Sequence, residues 1–94
     1  MTRLELLGCE RVGSALHVHW NVDRDDEAQF LATVIVPSPR AAHAFVHTPW
    51  ADGTGDVDLD DHLVRRTNAF LAHAQAAEVA AQWRQEARRL WVVA

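Results

Sequence analysis

The chain contains no lysine, all nine of its basic residues being arginine. That excludes Schiff-base chemistry and a phosphate-loop lysine, and the glycine-rich phosphate motifs are missing as well. A single cysteine, Cys9, rules out an internal disulfide and a cysteine-based zinc site within one chain, so it reads as a small core residue. No apolar run approaches the length of a membrane span, and residues 1–13 hold none long enough for a signal peptide. The expected setting is the cytoplasm, or a soluble assembly made there such as a virion. No basic stripe exists either: the net charge is -4, and the pairs Arg65 with Arg66 and Arg88 with Arg89 stand alone. Nucleic acid is therefore not an expected ligand, since phosphate binding needs clustered positive charge. No nucleophile elbow surrounds a serine; Ser14 and Ser38 sit in turn and helix-cap positions. A chain of 94 residues also has little room for a preorganised pocket beside its core, so no catalytic residue and no cofactor is expected.

What is present is an ordinary globular composition, 49% hydrophobic and 23% charged, sized for one α+β domain with a modest core. Arginine in place of lysine, with abundant alanine, valine and aspartate, suggests a high-GC coding source such as a bacterium or its phage.

The sheet part covers about residues 2–37. Leu4 and Leu6 alternate with Arg3 and Glu5, then Gly13 and Ser14 supply turn chemistry. In the next run Leu16, Val18, Trp20 and Val22 share one face, with Trp20 in the core, while His17, His19 and Asn21 share the other. A polar turn of Asp23, Arg24, Asp25, Asp26 and Glu27 leads into residues 30–36, whose β-branched, apolar character predicts the most buried strand. The expectation is a small three-stranded antiparallel meander. Ser38 followed by Pro39 signals a short helix over about 39–47, stopping before Pro49. An Asp-rich loop follows over about 50–57, with Trp50 at its start covering the core edge.

From there to about residue 93 the chain reads as one long helix. Asp58 is a cap candidate and Asp61, three residues on, fits the acidic position of a capping box. Asp60 and Asp61 early, and Arg84, Arg88 and Arg89 late, complement the helix dipole. Alanines abound and no glycine or proline interrupts, so a rod on the order of 50 Å is predicted. Spacings of three and four mark two seams. Leu59, Leu63, Thr67, Phe70, Ala74, Ala77 and Ala81 form the first, which packs on the sheet. Ala76, Ala80, Trp83, Ala87 and Leu90 form the second, with Trp91 close by. One competing arrangement breaks the helix near residues 77–78 into two helices that each use one face inside a monomer; in another the sheet curls around the C-terminal half and buries Trp83 and Trp91.

Two constellations have metal-ligand spacing. His17 and His19 are two apart on a strand and point the same way, while His43 and His47 are four apart on the short helix. Packing that helix over the sheet face brings four imidazoles toward one transition-metal ion. Separately, the segment from Trp50 to Leu63 resembles the later part of an EF-hand calcium loop and its exit helix. Asp52, Thr54, Gly55, Asp56, Val57, Asp58 and Asp61 fall on the third, fifth, sixth, seventh, eighth, ninth and twelfth places. It departs from the family at the first place, where Trp50 stands for an aspartate, and at the twelfth, where Asp61 is shorter than the usual glutamate. The resemblance implies calcium ligation by Asp52, Asp56, Asp58 and Asp61. Both metal readings have plain competitors, wet sheet and helix faces for the histidines and turn and cap chemistry for the aspartates, and no metal is assigned.

The leading functional expectation is a non-enzymatic assembly or protein-interaction module, self-associating or docking into a larger complex through Ala76, Ala80, Trp83, Ala87, Leu90 and Trp91. A small structural or accessory protein of a phage or bacterium fits. The alternative is an acidic inhibitor or mimic that uses Asp23, Asp25, Asp26, Glu27 and the aspartates of residues 52–61 to occupy a basic site on a partner.

Overall fold

The computed structural model describes residues 2–25, 27–38, 43–73 and 81. They form an α+β unit in which a four-stranded antiparallel sheet, β1 (Thr2–Val12), β2 (Ala15–Arg24), β3 (Phe30–Val36) and β4 (Phe45–His47), is followed by one helix, α1 (Val57–Ala72). The strands are hydrogen-bonded in sequence order, so the sheet is a simple meander.

Alternation in β2 organises the core. Leu16, Val18, Trp20 and Val22 are all buried, and their β3 partners Val36, Val34, Ala32 and Phe30 face the same way. Each fully buried leucine or valine among them contributes roughly 1.5–3 kcal/mol. β2 is thus the most buried strand, not β3. As a neighbour of the edge strand β4, β3 keeps the strict two-residue alternation of a half-wet sheet, with Leu31 on its outer face 52% exposed. The β1–β2 turn is Gly13 and Ser14, with Gly13 at φ +63 and, among the described residues, no residue other than glycine at positive φ. That sign pattern is a type II′ turn, whose twist suits a two-residue hairpin.

β1 has one irregularity that sets the chemistry of a whole face. Leu6 pairs with Trp20 and Gly8 with His19, leaving Leu7 as a bulge without a partner. Before the bulge Leu4 and Leu6 face inward; after it Cys9 and Arg11 do, opposite Val18 and Leu16. The extra residue flips the parity, so Glu10 comes to the outer face beside His17.

A fourth strand replaces part of the expected short helix. Phe45 pairs with Ile35, Val46 with Val34 and His47 with Thr33, so the three residues alternate out, in and out, with Val46 buried. An apolar β-branched residue over Val34 satisfies the sheet edge, and that backbone pairing is incompatible with helix over the end of 39–47. Residues 39–42 lie outside the described residues.

After β4 the chain folds back on itself around Thr48, which is buried and whose Oγ1 donates to the carbonyls of Ala51 and Gly53 at 3.0 and 3.3 Å. The Gly53 amide returns to the Val46 carbonyl. Gly53 sits at φ +80, a conformation that favours glycine, and a Cβ there would press on Asp60 Oδ2 at 3.1 Å.

α1 begins with Asp56 as its cap, two residues before the expected Asp58. Asp56 Oδ1 accepts from the amides of Asp58 and Leu59 at 3.0 and 3.3 Å, which places Asp58 inside the first turn and leaves Asp61 out of any capping box. Leu59, Leu63 and Thr67 are buried against the sheet with Phe70 half-buried below them, as the first seam predicts. The helix ends at Ala72. His73 turns extended at φ -73 and ψ 144, and its amide closes on the Phe70 carbonyl three residues back. The expected rod over 58–93 is therefore interrupted at His73, ahead of residues 77–78. Of the remaining first-seam residues, Ala74 and Ala77 lie outside the described residues and Ala81 is exposed.

Candidate functional site

The face of the sheet opposite α1 carries the histidines. Register places Glu10, His17, Ile35 and Phe45 in one row across the four strands, and Gly8, His19, Thr33 and His47 in the next. His19 is held from both sides: its Nδ1 lies 2.8 Å from Thr33 Oγ1 and its Nε2 lies 3.1 Å from Glu10 Oε1. An ionised carboxylate only accepts, so Nε2–H donates to Glu10 and, in the neutral ring, Nδ1 accepts from the Thr33 hydroxyl. The pair depends on Leu7 being bulged out, since with Leu7 paired in regular register Glu10 would fall opposite Leu16 and point into the core.

His47 lies in the row of His19 but two strands away, roughly 10 Å at the usual strand spacing. Its Nδ1 meets Asp52 Oδ1 at 3.2 Å, where Asp52 is fully exposed. His43 precedes β4, is exposed, and is not on a helix, so the four-imidazole arrangement does not form. The face carries two separate histidine–carboxylate pairs, with His17 half-buried beside one of them. Among the described residues no group of three or more potential ligands comes together around a point suited to a metal ion.

The aspartates of the EF-hand-like segment diverge for an equally local reason. Asp52 turns to His47, Asp56 caps α1 and pairs with Arg24, and Asp58 and Asp61 are exposed on the helix. Asp60, which lies outside the calcium pattern, accepts from the Thr54 amide and hydroxyl at 2.9 and 2.7 Å and clasps the loop to the helix. The loop thus builds a hairpin and a helix cap instead of a ring of oxygens.

Arg24 Nη2 reaches Asp56 Oδ2 at 2.5 Å and joins the β2–β3 turn to the start of α1. The guanidinium, followed by the Leu59 amide, holds the Asp56 carboxyl below the usual aspartate range; Asp56 in turn raises the arginine. This bridge consumes charge that the acidic-mimic reading assigns to a partner. Asp26 lies outside the described residues, and Asp25 and Glu27 are exposed on that turn.

Exposed apolar side chains mark the remaining surface. On the outer sheet face Val12, Leu31 and Phe45 are at least half exposed, and Leu7 projects from the bulge at 51%. Trp50 is 63% exposed and meets Phe30 edge-on with ring centroids 5.2 Å apart, covering the rim of the core as its place in the sequence predicts. A groove of about 350 Å³ lies between the inner side of β1 at Leu4 and Leu6 and the end of α1 at Arg66 and Phe70. A second, of about 530 Å³, runs along β4 between Phe45 and Val64. The expected interface residues Ala76, Ala80, Trp83, Ala87, Leu90 and Trp91 all lie outside the described residues.

The bulge, the Glu10 and Thr33 contacts of His19 and the exposed edge of β1 are features that sequence reading passes over. Gly8 inside an alternating strand was the available signal for the bulge. No protein-family model, curated protein or solved structure matches the chain. No described helix is long and apolar enough to cross a membrane.

Proposed function

We propose that the protein is a non-enzymatic assembly or interaction module, one that self-associates or docks into a larger complex through the seam of Ala76, Ala80, Trp83, Ala87 and Leu90. The observation that carries this reading is that the part of the first seam within α1 is already satisfied: Leu59, Leu63 and Thr67 are buried on the sheet. The chain then supplies a second run of apolar residues at helical spacing, with two tryptophans, beyond what that contact uses. A small structural or accessory component of a phage particle or bacterial complex fits this profile.

The test is solution mass by light scattering after size exclusion over a tenfold concentration range, for the native chain and for a Trp83→Gln, Leu90→Gln variant. A native oligomer that becomes a folded monomer on double substitution supports the reading. An oligomer of unchanged mass in the variant removes the helix seam as its cause. A native monomer at every concentration removes self-association and leaves docking on a different protein, with a second seam satisfied inside the monomer as its competitor.

A further inference from the structure

The free edge of β1 carries a charge pattern that is complementary to itself. Among the described residues β1 has β2 on one side and no strand on the other, so backbone N–H and C=O groups along its outer edge are open for pairing. The regular part of that edge is short. It runs from Thr2 to Leu6 and stops at the Leu7 bulge, where Gly8 takes φ +152. Along it Arg3 and Glu5 lie on the outer sheet face and are exposed, while Thr2, Leu4 and Leu6 lie on the inner face.

A second copy laid antiparallel with Leu4 on a two-fold axis sets Arg3 opposite Glu5 and Glu5 opposite Arg3. Leu4 then meets Leu4, and Thr2 meets Leu6. Both ion pairs fall on the outer face, and directly opposed side chains have Cβ atoms about 5 Å apart. Neighbouring registers are worse for definite reasons. A slip of one residue sets inner-face side chains against outer-face ones. A slip of two keeps the faces but centres the axis on Arg3 or on Glu5, bringing like charges together. Registers reaching past Leu6 meet the bulge. On the inner side, Leu4 and the 38% exposed Leu6 line the groove that ends at Phe70, so contact across the axis extends an apolar surface already present.

We propose that β1 pairs with β1 of a second copy about a two-fold axis at Leu4, joining the two sheets into one of eight strands. This goes beyond the helix-seam reading, uses none of its residues, and stands or falls separately from it.

Arg3→Glu and Glu5→Arg test it, because both positions are exposed and neither contributes to the core. Each substitution places like charges at both symmetry-related pairs, and the dimer dissociation constant from sedimentation equilibrium is expected to rise about tenfold. The Arg3→Glu, Glu5→Arg double variant regenerates opposite charges and returns the constant to the native value. An equimolar mixture of the two single variants does the same. There the carboxylate introduced at position 3 faces the guanidinium introduced at position 5, and the remaining native Glu5 faces the remaining native Arg3. A dimer indifferent to either single substitution overturns the proposal, as does a native chain that stays monomeric. Running the Trp83→Gln, Leu90→Gln variant alongside separates the two surfaces. If it remains dimeric and still responds to charge reversal, the edge pairing holds and the helix seam fails. If it is monomeric while the charge variants keep native affinity, the edge pairing fails.

Discussion

Trp20 Nε1 donates to Thr67 Oγ1 at 2.9 Å, and Thr67 in turn donates to the Leu63 carbonyl at 2.8 Å. Trp20 stands in the middle of β2 and is 3% exposed; Thr67 stands on α1 and is wholly buried. One hydroxyl therefore serves an indole that has no water to turn to, and returns its own proton to the helix backbone. Sheet and helix are fixed in register by this bond as well as by apolar contact.

Thr67→Val keeps the shape and removes the acceptor. The indole N–H is then buried without a partner, a loss of about 1–3 kcal/mol in unfolding free energy by urea titration. Combined with Trp20→Phe in a double-mutant cycle, the pair should show coupling on the order of 1 kcal/mol. Additive single effects would mean that the bond is incidental to packing.

Asp56 makes acid sensitivity local. Its carboxyl is held below the ordinary value near 3.8 by Arg24 and by the Leu59 and Asp58 amides, so the folded state favours the ionised form more than the unfolded chain does. The sign follows: this stabilisation is complete above the unfolded value and is lost as pH falls through the lower, folded one. Asp56→Asn keeps a good cap and deletes the charge. Its urea midpoint should lie below that of the native chain at pH 6, with the gap closing as pH is lowered beneath about 3.8. A gap of constant size across that range would show that the Arg24 pair is not what titrates.

How much of this was legible follows from how local each determinant is. The inward set of β2 was readable because alternation alone fixes which residues share a face, and Leu59, Leu63 and Thr67 were readable for the same reason at helical spacing. The first turn of α1 was legible only to within two residues. Asp56 and Asp58 are both chemically able to cap, and the choice rests on Gly55 at φ +82, which delivers Asp56 in an extended conformation. β4 was hidden because three residues carry almost no periodicity, and the spacing of His43 and His47 matches a helix by coincidence. Its true signal is Val46 lying over Val34, a contact that no local window contains. The histidine face was half legible. His17 and His19 share it as expected, but the partners of His19 depend on a parity change seven residues into the chain.

That parity change yields the last prediction. Leu7 is the one residue of β1 with no partner on β2: the pairs up to Leu6 with Trp20 and from Gly8 with His19 are consecutive on β2. Deleting Leu7 therefore removes the bulge without moving any other residue to the opposite face. Leu4, Leu6 and Cys9 stay inward and Glu10 stays beside His19. The deletion variant should fold with the native cross-strand contacts, read as backbone NOEs between Leu6 and Trp20 and between Cys9 and Val18. Bulges also interrupt an edge that would otherwise recruit further strands. The same variant, with a continuous outer edge along β1, should dimerise at lower concentration than the native chain by light scattering. A folded variant with native association would show that the bulge only absorbs Leu7 and places no limit on the edge.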